Sequence, residues 1–400
     1  MSIEQQISPT TLPVGHTIEI NTTGWYNWGN SQNIFTNYGK IIIDKKGYLT
    51  NQADLTNWAY LNNKEGGLIE NSGTFENTRF WASCAELVND GEFSNEKGGS
   101  LINDGHLHNN SKAVLNNDGK IVNNTGFANS KNSTGVLYNK GTFNNNSGAV
   151  FLNYGNCLNY KNAVINNAGS FDAYIGGGSF GNWGHFNNKK GAVLHSSPAP
   201  SLKKDNLNDH DGATFNVGLI SNAGIVTNDG LINARGGFTN QIGALIQGSG
   251  VIKGDLINHG TINSGSSSGG HLIDGNLQHT NSSLNTFELG GDDDASRDRK
   301  NTQYDFLDIK GDLLIDGGTL DIQLINNFKI EYGQEFKIVS VGNDLVGQYA
   351  GFDEGSSVGL FDSIHSRAIN LFITYQGGDG NDICLYTKDQ TNADMIFSFN

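Results

Sequence analysis

Five aromatic residues share one local context, and they are the first candidates for chemistry in this chain. Trp28 sits in Asn27-Trp28-Gly29, Tyr38 in Asn37-Tyr38-Gly39, Trp58 in Asn57-Trp58-Ala59, Tyr154 in Asn153-Tyr154-Gly155 and Trp183 in Asn182-Trp183-Gly184. A ring held on a rigid support between asparagine and a small residue offers the flat apolar face on which a sugar packs at little entropic cost. The competing reading is that these rings only cover corner backbone. Trp28, Tyr38, Trp58, Tyr154 and Trp183 are therefore the carbohydrate-binding candidates.

Carboxylates come next. Asp292, Asp293, Asp294, Asp305 and Asp308 gather near Arg297 and Arg299, the mixture of acids and a base that a polysaccharide lyase or hydrolase uses. Their setting, DDDASRDRK, is a hydrophilic run of the kind that is ordinarily solvated, so no catalytic residue is assigned. Asp90, Asp104 and Asp118 recur every fourteen residues and could line up to collect divalent cations, although solvated acids are commoner. Gly377 to Asp382, GGDGND, matches the first six positions of a calcium-binding nonapeptide. Cys384 replaces its aliphatic residue, and the motif has no second copy with which to share an ion, so no metal or cofactor is expected. The ten histidines are scattered, with no H-x-x-x-H and no G-x-S-x-G spacing. No glycine-rich loop opens a helix to cradle phosphate.

Composition narrows the classes further. The chain has 400 residues, 54 glycines, about as many asparagines and only 4 prolines, a turn-rich bias that excludes coiled coils and helical bundles. Its net charge of −15, from 25 basic against 40 acidic residues, argues against nucleic acid and anionic membranes as partners. Cys84, Cys157 and Cys384 are odd in number and far apart, which implies neither a disulfide framework nor a zinc site. Cys157 falls on an apolar position and is expected to be a buried, inert thiol. The opening MSIEQQISPTTLPVGHTIEI shows no signal peptide, and no run of eighteen apolar residues suggests insertion in a membrane.

The elements that must position these residues come from a repeat. From Phe35 onward an apolar residue, an asparagine and a glycine or alanine occupy alternate positions, as in Leu49-x-Asn51-x-Ala53 and Leu55-x-Asn57-x-Ala59. Apolar anchors step by six, as at Phe75, Trp81, Leu87 and Phe93, or alternate six with eight, giving a fourteen-residue unit. Such steps fit one short strand and one corner, and are too short for a helix with its loop. Period two puts leucine, asparagine and glycine on one side, with leucine filling the core and asparagine and glycine expected to supply left-handed backbone at the corners. Equivalent asparagines of successive turns can then bond into ladders. The fold expected is all-β, a single-stranded parallel β-helix, or β-solenoid. Three consecutive sixes at Leu49, Leu55 and Leu61 favour three faces and a turn of about 20 residues over a two-faced turn of fourteen. On that geometry Tyr38 and Trp58 are one turn apart and stack.

The pattern divides the chain into an N-terminal cap (1–30), a first solenoid tract (31–195) and a loop or insertion (196–218). A second tract (219–301), a C-terminal β capping block (302–390) and a tail (391–400) follow. All four prolines, at 9, 13, 198 and 200, avoid the repeats, where every N–H is needed.

HLIDGNLQHTNSSLNTFELGG, YDFLDIKGDLLIDGGTLDIQLINNFKIEYGQEFKIVSV and LFITYQGGDGND resemble the C-terminal part of bacterial autotransporter-like passenger domains, best over 271–387. The resemblance implies a right-handed coil, an extracellular or cell-surface setting, and adhesive or structural work more often than catalysis. The chain departs from that family in showing no leader and no outer-membrane barrel. The leading expectation is a non-catalytic adhesive or structural rod, with extracellular glycans or a host or neighbouring cell surface as partner. A carbohydrate-active enzyme and a self-associating filament subunit are the alternatives.

Overall fold

The computed structural model describes residues 34–78, 84–124, 135–174, 179–197, 220–234, 237–265, 268–365 and 367–388. It also describes the backbone of Gln5–Gln6, Thr11–Leu12, Thr17–Ile20 and Gly24–Asn27. Trp28, Trp81, the four prolines, most of the 1–30 cap, nearly all of the 196–218 loop and the 391–400 tail lie outside the described residues. The chain forms two compact units, one of 1–225 with 233–236, the other of 226–232 with 237–400. Among the described residues there is no α-helix; a short 3-10 turn at Ala295–Arg297 is the single helical element.

The first unit is a parallel β-solenoid. Strands of four residues alternate inward and outward, so that in Leu68–Asn71 the buried residues are Ile69 and Asn71. Ile69 pairs with Leu49 in the turn before and Phe93 in the turn after. Phe75 pairs likewise with Leu55 and Leu101, and Leu87 with Leu61 and Leu107. Leu49, Leu55 and Leu61 thus begin three faces, here called first, second and third, and Ile69 returns to the first. Three strands complete a turn, which from Leu49 to Ile69 takes 20 residues. The fourteen-residue interval is only two successive steps of six and eight, so it never closes a turn. Leu55 and Phe143 are 1% and 0% exposed.

Inside the coil three files of asparagine run beside the apolar anchors. On the first face Asn51, Asn71, Asn95, Asn117, Asn145, Asn167 and Asn188 are joined by amide-to-carbonyl bonds of 2.7–2.9 Å from each residue to the next. Matching files occupy the second face from Asn37 to Asn153 and the third from Asn63 to Asn222. Most of these amides also donate to a backbone carbonyl, as Asn117 does to Val150. Burial of so many polar groups is tolerable because nearly all are bonded; the Asn63 side-chain oxygen at the start of the third file is an exception.

Asparagine and glycine do not share the corner role that the sequence suggests. The ladder asparagines sit on strands; the left-handed residues are Lys46, Gly66, Gly98, Lys112, Gly148, Asn162 and Gly191, one in each eight-residue corner. The glycine of the L-x-N-x-G pattern answers a different need. A Cβ on Gly73 would lie 2.1 Å from the carbonyl oxygen of Ala53 one turn below, so close stacking of corners selects the missing side chain.

From Ile34 to Asn222 every departure from the six- or eight-residue step falls at one corner. The second-face strands Thr74–Asn77, Lys120–Asn123, Ser170–Tyr174 and Val193–Ser197 lead to the third-face strands Glu86–Asn89, Val136–Asn139, Ser179–Asn182 and Ile220–Asn222. The other two corners use only the six- and eight-residue steps.

The second unit repeats the three-faced winding, from Leu245–Gly248, Val251–Lys253 and Leu256–Asn258 up to Thr319–Leu324, Glu335–Val341 and Leu345–Gln348. Its end is different. Ser357–Phe361, Ile369–Gly377 and Asp382–Tyr386 pair antiparallel, and the last also pairs antiparallel with Glu335–Val341. Its ladder changes composition: Asn240 bonds to Asn258, His279 sits between Asn258 and Asn285 at 3.2 and 2.9 Å, and Asn285 donates to the Tyr349 hydroxyl.

Candidate functional site

On the first unit the outward positions of the three faces differ in chemistry. The first face carries a second, half-exposed ladder, in which Asn144, Asn166 and Asn187 each donate to the asparagine one turn below at 2.8–2.9 Å. The third face carries rings and ionisable groups, and is the candidate functional surface.

Its centre lies where Glu86–Asn89, His106–Asn109 and Val136–Asn139 stack in register. Period two turns His106 and His108 to the same outward side, and the ladder sets Glu86 beside His106. The Nδ1 of His106 lies 2.8 Å from Oε1 of Glu86, and Nε2 of His108 lies 2.8 Å from Oε2. One carboxylate therefore accepts from two imidazoles. Their side chains are 35%, 31% and 26% exposed for Glu86, His106 and His108. Burial lowers the His108 pKa below its ordinary value, with Glu86 pulling the other way, so the ring is neutral at physiological pH. Tyr138, from the next turn, stacks on His108 with centroids 4.7 Å apart and meets His106 edge-on at 5.8 Å.

Rings continue along the adjoining corner. Tyr160 lies 6.4 Å from Tyr138, and Trp183 lies 6.3 Å from Tyr160; the Lys140 ammonium sits 5.5 Å from the centre of the Tyr160 ring. Trp183 is 47% exposed, and its indole folds back over Gly181, where a Cβ would come within 2.7 Å of the ring.

The sequence candidates separate on this frame. Tyr38 and Trp58 close successive second-face strands, with ring centroids 5.8 Å apart and tilted by 36°. Tyr154 closes another second-face strand, whereas Trp183 closes a third-face strand, so the four described aromatics occupy two corners. Trp28 lies outside the described residues. Asp90, Asp104 and Asp118 form no row. They follow third-, second- and first-face strands, because fourteen residues is not a turn, and each is bonded to its own neighbours: Asp90 to Asn110, Asp104 to Thr78 and Asn124, Asp118 to Asn146.

In the second unit the acids near Arg297 and Arg299, to which no catalytic role is assigned, hold the fold. Asp293 and Asp294 accept from the backbone N–H groups of Ala295 and Ser296, and Asp292 from the Gln334 side chain. Arg297 binds Asp308 through Nε and Nη2 at 2.8 and 2.7 Å, donates to the Lys337 carbonyl, and lies 4.1 Å over the Phe306 ring. Asp305 is fully buried and accepts from the backbone of Gly269 and Glu288; burial pushes its carboxyl up to about 8, against those two bonds. The GGDGND segment is a hairpin turn, with Asp382 accepting from the Val341 N–H and paired with Lys337 at 3.3 Å. Cys157 is completely buried, and burial raises its thiol pKa far above the ordinary value.

Sequence reading passed over the Glu86–His106–His108 cluster. An H-x-H pair on a strand and an acid twenty residues earlier were both present, but the acid joins the pair only once the turn length is known.

No family model matches the chain, and no curated protein matches it. Among solved structures it is similar to the TibC-catalysed hyper-glycosylated TibA55-350 fragment, at 15% identity, over 80% of this chain and 98% of that one, with a TM-score of 0.24. The fold assignment rests on the strand register itself. No described helix is long and apolar enough to cross a membrane.

Proposed function

We propose that this chain is a non-catalytic β-solenoid exposed outside a bacterial cell, serving as a structural and adhesive element that binds glycans through its aromatic corners. The observation that supports this most is the file of rings Tyr138, Tyr160 and Trp183, spaced at 6.3–6.4 Å and ending in a half-exposed indole. Tilted rings at that spacing offer consecutive apolar platforms to a chain of sugars, with Lys140 beside them to meet a carboxylate or sulfate group. The Tyr38–Trp58 pair gives a second platform of the same kind. Rigid backing matters, because rings fixed by a hydrogen-bonded coil lose little freedom on binding.

A glycan array probed with the purified chain tests this, with cell-adhesion assays in parallel. The expected result is binding to a defined glycan set that Tyr160→Ala and Trp183→Ala together reduce at least tenfold. An empty array, or binding unchanged in that double variant and in the Tyr38→Ala, Trp58→Ala variant, would remove the glycan reading.

A further inference from the structure

We propose that Glu86, His106 and His108 form a binding site for a divalent first-row transition ion on the third face of the first unit. Convergence of the three side chains supports this whether or not the aromatic corners bind glycans. Ligand atoms from the three residues all lie within 4.8 Å of one another. The two nitrogen-to-oxygen contacts are 2.8 Å each. Ligands at about 2.0–2.2 Å from zinc stand roughly 3 Å or a little more from each other, so small side-chain rotations admit an ion between groups that already converge.

Donor chemistry selects the ion. Two imidazoles and one carboxylate suit zinc, nickel, copper or cobalt, whereas calcium and magnesium want shells of oxygen. Both nitrogens belong to residues two apart on one strand, and the carboxylate belongs to the paired strand beneath, so backbone hydrogen bonds fix all three Cα positions. Tyr138 clamps the His108 ring from the next turn. This is support of the kind that holds a ligand's orientation at metal sites. An imidazole holds an ion through an unprotonated ring nitrogen, so at both His106 and His108 the nitrogen that faces Glu86 turns its lone pair to the ion while the other ring nitrogen carries the proton. Three protein ligands leave the remaining position open to water or to a donor from a bound molecule.

Isothermal titration of the full chain, stripped with chelator, measures this with zinc alone as the probe. One zinc per chain is expected, with affinity falling at least about tenfold in His106→Ala and in His108→Ala. Glu86→Gln, which keeps the size and one accepting oxygen but gives up the charge, is the second variant should an alanine change disturb the strand signal in circular dichroism. Cysteine is not part of the set, so Cys84→Ser is expected to bind as the parent does, and excess calcium is expected to leave the isotherm unchanged. Cobalt substitution is expected to give the weak visible bands of a nitrogen–oxygen site without thiolate charge transfer. Equal zinc binding by parent, histidine and Glu86→Gln variants overturns the proposal, as do absence of binding, displacement by calcium and dependence on Cys84.

Discussion

Asn117 donates to the side-chain oxygen of Asn145 at 2.8 Å, twenty-eight residues along the chain yet one turn away. Asn117 also accepts from Asn95 and donates to the Val150 carbonyl, so removing its amide takes a bond from three groups, of which Asn95 keeps its bonds to the Gly99 and Lys120 carbonyls. Asn117→Ala is expected to cost on the order of 3 kcal/mol, since each stranded group costs about 1–3 kcal/mol and neighbours relax in part. Asn116→Ala, on the half-exposed outer ladder next door, is expected to cost under about 1 kcal/mol. Urea unfolding followed by circular dichroism compares the two; equal costs would show that the inner ladder is not a principal support.

The second unit is expected to have a stability maximum near pH 6.5. Burial lowers His271 to about 4 and His279 to about 3. In the unfolded chain both take protons near pH 6.5, so their effect is loss of stability as pH falls from 6.5 towards 3. Asp305 acts with the opposite sign. Its raised pKa favours the fold fully below the free carboxyl value of 3.8 and loses that effect as pH rises through about 8. Between 4 and 6.5 two histidines outweigh one carboxyl, so stability rises with pH; between 6.5 and 8 only the carboxyl titrates, and stability falls. Thermal unfolding across this range checks it, and His279→Asn is expected to flatten the acid limb by restoring the amide ladder.

Arg297→Lys is expected to destabilise the second unit by about 1–3 kcal/mol. A lysine keeps the charge but loses the two-pronged contact with Asp308 and the flat contact with Phe306. Thermal scans of the two proteins measure the difference, which is expected to persist in high salt because the contact is shielded from solvent.

Gly181→Ala is expected to displace the Trp183 indole, since the added methyl meets the ring at 2.7 Å. Tryptophan fluorescence is expected to change while the strand signal stays. In the glycan array this variant is expected to weaken binding through the third-face rings and to leave the Tyr38–Trp58 platform unaffected.

The winding was legible because two requirements coincide in one period. Leu55 and Asn57 must both point inward, and both obey alternation on a four-residue strand. The same regularity hid what depends on the length of a complete turn. Asp90, Asp104 and Asp118 look equivalent in the sequence but belong to three faces, and Glu86 looks unrelated to His106 but lies beside it. Insertions at a single corner disturb the spacing, so long-range register appears only when the strands are paired. The structural role of the acids around Arg297 was hidden for another reason: composition reports charge, but not that Asp305 is buried and Asp308 already engaged.

Because every long interval between strands from Ile34 to Asn222 falls between a second-face strand and a third-face strand, chain length varies there without shifting a rung. A foreign peptide spliced between Asn77 and Glu86, or between Asn123 and Val136, inherits two anchored ends and a fixed spacing from its neighbours. The molecule is thereby a ready-made display rack, on which recognition sequences could be hung at chosen intervals while the ribbon beneath keeps its wind.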